Sequence, residues 1–168
     1  ISGSNSWGGA ITLGSDSTIM SDAGALSLTG NIGNAGFLLT IGGASNVSSS
    51  GVISGAGGLT KINGGTLTVS GANTYDGATT VSAGILNVQN GSGLGSTVGG
   101  TTVSNGATLQ LQGGITVGAE ALNISGTGAG GQTGALVNVS GTNNYGGLLT
   151  LGADTTLSSD SGTLNLTN

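Results

Sequence analysis

The chain of 168 residues has no cysteine, no proline and no histidine, and Lys61 is its only base. Its acids are Asp16, Asp22, Asp76, Asp154, Asp160 and Glu120. Binding nucleic acid or an anionic membrane surface takes several Lys or Arg side chains to neutralise phosphates, so neither is expected as a partner. The absence of cysteine leaves the compartment open, though it suits a chain threaded unfolded through an export pore. The sequence holds no run of eighteen apolar residues and no signal peptide, so membrane insertion by this segment is not expected. Only four residues are aromatic, and the supply of apolar side chains is too thin for a thick core.

Glycine is abundant instead: 38 residues, roughly three times the usual share of about 7%. Val, Ile, Leu and Thr recur at period two in short runs, which argues for folded strands over a disordered polar chain. Expected strands are Phe37 to Ile41, Val52-Ile53, Leu59 to Ile62, Thr66 to Val69, Ile85 to Val88, Thr101 to Val103, Thr108 to Leu111, Ile115 to Val117, Leu122 to Ile124 and Leu136 to Val139. Pairs such as Gly42-Gly43, Gly64-Gly65 and Gly113-Gly114 mark the joints. Asn31, Asn34, Asn46, Asn63, Asn105 and Asn138 are expected to tile corners by bonding their own backbone. No stretch is long or periodic enough for a helix.

One architecture reconciles strands with so little hydrocarbon. In a solenoid each coil buries a thin strip against its neighbours, and the strips merge into one column. Burying a Leu, Ile or Val is worth roughly 1.5–3 kcal/mol, while ordering each residue of a coil costs roughly 1–2 kcal/mol in backbone entropy. A single coil therefore cannot stand alone; stacking makes it viable. The expected fold is all-β, a single-stranded right-handed parallel β-helix of about seven coils. Residues 1–168 are read as one continuous piece of a longer array.

Two repeats support that reading. Residues 2–29 align without a gap to residues 140–167, with about 16 of 28 positions identical, which gives a repeat unit of roughly 138 residues. Within both copies, and again at Ser70 to Gly77, the pattern S-G-x-N-x-aromatic-x-Gly recurs. Its turn residues are Gly3 and Asn5, Gly71 and Asn73, Gly141 and Asn143. At roughly 23 residues per coil the three copies should lie three coils apart on one edge, about 14 Å from copy to copy.

The stretch from Gly55 to Val88 reads GAGGLTKINGGTLTVSGANTYDGATTVSAGILNV. Its wording, GGLTK, then GTLTVSGANTYDG, then ATTVSAGILNV, closely resembles the passenger-associated repeat of bacterial autotransporters. The resemblance implies a right-handed parallel β-helix, secreted and displayed at the bacterial cell surface. Its partners would be neighbouring repeats of the same chain, identical rods or glycans of host or neighbour cells. Gly-Asn-rich alternation of this kind is also similar to that of filamentous-haemagglutinin-like adhesins. Function is accordingly expected to be structural and adhesive, with no cofactor. The alternatives are a β-helix polysaccharide hydrolase or lyase, and a subunit of a head-to-tail homopolymeric extracellular fibre.

Candidate site residues are few. Trp7, Tyr75 and Tyr145 either line up on an outer edge to stack on sugar rings or fold over their own corners as seals. Asp16 and Asp22 recur as Asp154 and Asp160, but carboxylate pairs that cleave polysaccharide need a defined separation and usually basic partners, and no His or Arg is present. An Asx-turn role is simpler. Asp22 and Asp160 are weak candidates for a lone surface ion; no metal site is expected, since the G-G-x-G-x-D calcium repeat is missing. Ser159-Asp160-Ser161-Gly162 resembles the nucleophile segment of chymotrypsin-like proteases, yet no His can take the hydroxyl proton, and the earlier copy has Ala23 at the nucleophile. Gly126, Gly128 and Gly131 fit G-x-G-x-x-G without the helix that a dinucleotide needs. Thr79-Thr80, Thr101-Thr102 and Thr155-Thr156 are similar to ice-binding ladders but do not recur in every coil. Asn46, Asn123, Asn138 and Asn165 open glycosylation sequons. Strict alternation from Leu59 would turn Lys61 inward; a bend between Thr60 and Ile62 that returns it to solvent is expected.

Overall fold

The structure, a computed structural model, describes residues 3–167; Ser2, the first residue of the repeated segment, lies outside them. Among the described residues there is no helix. Every pairing between strands is parallel, and the chain winds into a β-solenoid of about eight turns. Each turn lays down up to three short strands joined by tight corners.

The first face is an eight-stranded sheet of Asn5–Trp7, Leu26–Leu28, Val47–Ser49, Thr66–Val69, Gly84–Val88, Ala107–Gln112, Leu136–Ser140 and Leu157–Ser159. The third face stacks Ser17–Met20, Leu39–Gly42, Leu59–Lys61, Thr79–Val81, Thr101–Val103, Leu122–Gly126 and Leu149–Thr155. The second face is split. Ile11–Thr12, Ile32–Gly33, Ile53–Gly55 and Thr74–Tyr75 form one sheet; Thr116–Val117, Thr142–Tyr145 and Thr163–Leu166 form another. Between them the chain makes turns where a strand would be.

Inward residues pack into one hydrocarbon column, as alternate positions along a strand must. Leu67, Leu86, Leu109 and Leu136 follow one another on the first face and Leu39 and Leu59 on the third, all buried. Ile32 and Ile53 line the second. Each inward side chain thus covers the one beneath it, and the apolar strip is continuous from turn to turn.

The corners explain the glycine. A Cβ at Gly30 would lie 2.1 Å from the Gly9 carbonyl oxygen, at Gly51 2.1 Å from that of Gly30, and at Gly71 2.3 Å from that of Gly51. Gly57, Gly77 and Gly99 stack in the same way at the next corner. Turns about 4.8 Å apart leave no room there for a side chain. Asparagine does more than the expected bonding within its own corner. Asn31, Asn34, Asn46 and Asn73 each accept a backbone N–H of the neighbouring turn, from Val52, Gly57, Thr66 and Ile53 respectively. These amides clip turn to turn, because a parallel stack presents the neighbouring turn's N–H at the height where the corner leaves it unpaired. Asn34 and Asn138 also bond their own corners as expected, Asn34 accepting from the Gly36 N–H and Asn138 donating to the Gly141 carbonyl.

Lys61 corrects a second expectation. No bend returns it to solvent: it lies buried, directly beneath Val81 in the ladder. Its Nζ donates to the carbonyls of Ile62 at 2.7 Å, Asn63 at 2.6 Å and Ala83 at 3.1 Å. Three carbonyls saturate the ammonium's donors, which is what makes an inward lysine tolerable. Burial lowers its pKa from 10.5 to about 8.

Candidate functional site

The second face is split in mid-length, where the rod lacks the strand that the turns on either side of it carry there. Residues 90–99 replace a strand with successive turns. They are anchored downward: Ser96 N–H donates to the Tyr75 carbonyl, Asn73 Nδ2 to the Gly93 carbonyl, and Ser96 Oγ to Asp76. Among the described residues no hydrogen bond ties 91–97 upward to 115–120. A cleft of about 350 Å³ opens there, lined by Asn73, Thr74, the 91–97 turns, Val117, Gly118 and Glu120.

Behind the cleft the core turns polar. On the third face the inward column runs Leu39, Leu59, Thr79, Thr101, Leu122, Leu149, with two threonines between leucines. Thr101 Oγ1 donates to Glu120 Oε1 at 2.8 Å. Tyr75 and Thr79 share a 2.6 Å hydroxyl contact, and Thr79 Oγ1 reaches the Leu94 carbonyl. Glu120 Oε2 and the Tyr145 hydroxyl are buried without a hydrogen-bond partner. Buried polar atoms are nearly always paired, so this cluster is costly.

Its electrostatics follow from that burial. Desolvation raises the Glu120 pKa, partly opposed by the Thr101 hydroxyl bond. Tyr75 and Tyr145 are pushed up by burial and further by the nearby Glu120 carboxylate, Tyr75 being partly relieved by Thr79. The carboxyl therefore keeps its proton in the folded state at pH values where the unfolded chain has lost it. With more protons bound folded than unfolded, stability falls as pH rises above about 4.5 through the folded pKa. Glu120→Gln retains an acceptor for Thr101 and removes the charge. Urea titrations at pH 4.5 and pH 7 should show the variant more stable than wild type at pH 7, with little difference at pH 4.5; equal offsets at both would contradict the assignment.

The residues singled out in the sequence are dispersed. Tyr75 and Tyr145 are fully buried on the second face and present no ring to a glycan, which corrects the stacking expectation for both. Trp7 is exposed and lies on the first face, so the three rings do not share an edge. Asn73 and Asn143 are buried amides; Asn143 Oδ1 accepts the Ile115 N–H at 2.7 Å, and its Nδ2 donates to Asn138 Oδ1 and the Ser140 carbonyl. Asn5 only bonds back to Gly3. Gly71 belongs to the stacked corner column, and Gly3 and Gly141 take positive φ. Asp16 and Asp22 each accept a backbone N–H of the next turn, from Leu38 and Ala44, and Asp160 accepts from Thr133 Oγ1. Glu120 was absent from the expected site: Gly118-Ala119-Glu120-Ala121 offers no pattern that marks a buried acid.

Searches among curated proteins and among solved structures returned no match. The segment that supplies the Lys61 cage, Asn73 and Tyr75 is nevertheless recognisable in its own right. Residues 59–88 match the family model of the passenger-associated-transport-repeat, and the chain carries that repeat in the middle of its solenoid.

Proposed function

We propose that the chain is a structural rod segment of a secreted cell-surface protein, acting as a spacer with a weakly adhesive exterior and no catalytic role. The carrying observation is the unbroken eight-stranded parallel ladder on the first face. A stack of this kind converts chain length into stiff reach, at about 4.8 Å per turn. The passenger-associated repeat supports secretion or surface display. The hydroxyls and amides that cover the outer positions, such as Ser48, Thr102 and Asn123, suit weak contact with glycans or sister rods. Asp16 and Asp22 are engaged in clipping turns together, which favours the structural role over a hydrolase.

Antibodies to this segment should label intact cells that make the full polypeptide. Duplicating residues 30–167 should lengthen the rods seen by electron microscopy by about 30 Å. Rods of unchanged length, or labelling only after the cells are opened, would overturn the reading. A homopolymeric fibre is the second reading, favoured by where exposed apolar side chains gather: Trp7 and Met20 at one end, Leu148, Leu151 and Leu166 at the other. Sedimentation of the purified segment separates them, since a fibre subunit adds head to tail through these ends into open-ended polymers that lengthen with concentration.

A further inference from the structure

The repeated segment does not occupy the same side of the rod twice. Asn5–Trp7 lies on the first face, but its counterpart Thr142–Tyr145 lies on the second. Ile11–Thr12 is on the second face and Leu149–Thr155 on the third; Ser17–Met20 is on the third and Leu157–Ser159 on the first. Leu26–Leu28 closes the turn on the first face while Thr163–Leu166 closes it on the second. The four strands overlap their counterparts and are displaced by one face in the same sense. Thr155, which corresponds to Ser17, is the exception, because the strand of Leu149 runs on to include it on the third face. Between the copies the chain climbs six turns, from Trp7 through Leu28, Ser49, Val69, Val88 and Leu111 to Asn138, and then passes one more corner to Tyr145.

We propose that the long repeat advances by six and one-third turns, so that the surface carried by each copy is offered on a new side of the rod. What the sequence of a copy specifies is a strand and its Gly or Asn corner. Which face the strand takes is set by the count of corners before it. Three copies would bring the pattern back to its starting side after nineteen turns, about 90 Å along the axis at about 4.8 Å per turn. A partner that recognises the repeat's outer strip, a second rod above all, then meets that strip around the whole circumference at about 30 Å intervals. Such a rod fits a surrounding meshwork of neighbours, not a flat one-sided contact. The rotation follows from the register alone and stands whether or not the rod serves as a spacer.

The test uses the absence of native cysteine. Ser27 belongs to the first-face column of Ser48 and Thr68, and its counterpart Asn165 to the second-face column of Asn144 and Thr116. Spin labels on cysteine pairs report which column each copy joins. The Ser54–Asn165 pair, both on the second face, should give a shorter distance than Ser48–Asn165. The Ser27–Thr68 pair should be shorter than Ser27–Thr74. Thr163, exposed on the strand of Asn165, substitutes for it should Asn165→Cys fail to fold. Both orders as stated support the rotation; reversal of either places the two copies on one side and overturns it.

Discussion

Lys61→Met should lower the melting temperature by roughly 6–12 °C, corresponding to about 3 kcal/mol at about 2–4 °C per kcal/mol for a chain of this size. Methionine fills the hydrocarbon volume of the lysine stem but donates nothing. The carbonyls of Ile62, Asn63 and Ala83 then lose a shared partner, and an unsatisfied buried acceptor costs about 1–3 kcal/mol. Relief of the buried charge offsets part of that loss, so the net falls below the sum. The wild type also carries a pH signature. Its folded pKa, about 8, lies below the ordinary 10.5, so the unfolded chain binds the extra proton and stability rises with pH above 8. Buried Tyr75 and Tyr145 reverse that trend above about 10, where unfolded tyrosines ionise first. Melts between pH 8 and pH 9.5 should show the rise in wild type and its absence in Lys61→Met. A variant that melts within 2 °C of wild type, about 1 kcal/mol or less, would remove the carbonyl cage from the list of things that hold the rod together.

The same lysine shows where reading the chain succeeds and fails. Alternation located the strands well: Thr101–Val103 and Thr66–Val69 lie where expected, and Leu122–Gly126 and Leu136–Ser140 only extend further. Period-two patterning is local, so sequence carries it directly. Strict alternation also pointed Lys61 inward, and the inference that burial forbade it was the error. Three backbone carbonyls converging on one ammonium come from two different turns, and nothing local reveals that meeting. Face assignment failed for a related reason. The S-G-x-N marker suggested one shared edge for Trp7, Tyr75 and Tyr145, but turns of unequal length put Trp7 a face away from the other two. Glu120 was invisible because its significance lies in Thr79, Thr101 and the two tyrosines, which come from four other strands on three other turns.

Gly51→Ala tests the stacking itself and should be among the most damaging single-methyl additions. Gly51 sits in mid-column with its would-be Cβ 2.1 Å from the Gly30 carbonyl oxygen and 2.4 Å from the carbonyl carbon. Its backbone does not take positive φ, so alanine's own conformational preference is not at issue. The obstacle is backbone, which cannot rotate aside as a side chain end does. Either the corner opens, breaking the Ser50 N–H to Leu28 bond beside it, or adjacent turns separate locally and lose their ladder. A loss of about 3 kcal/mol or more is expected, at the upper end of overpacking effects. Gly64→Ala is the matched control: nothing lies within 4 Å of its would-be Cβ, and a compatible Gly-to-Ala change usually stabilises by about 0.4–1 kcal/mol through the unfolded chain. Denaturant melts of the pair should therefore move in opposite directions. If both variants shift alike, glycine's abundance reflects chain flexibility, and contact between neighbouring corners is not what spaces the turns.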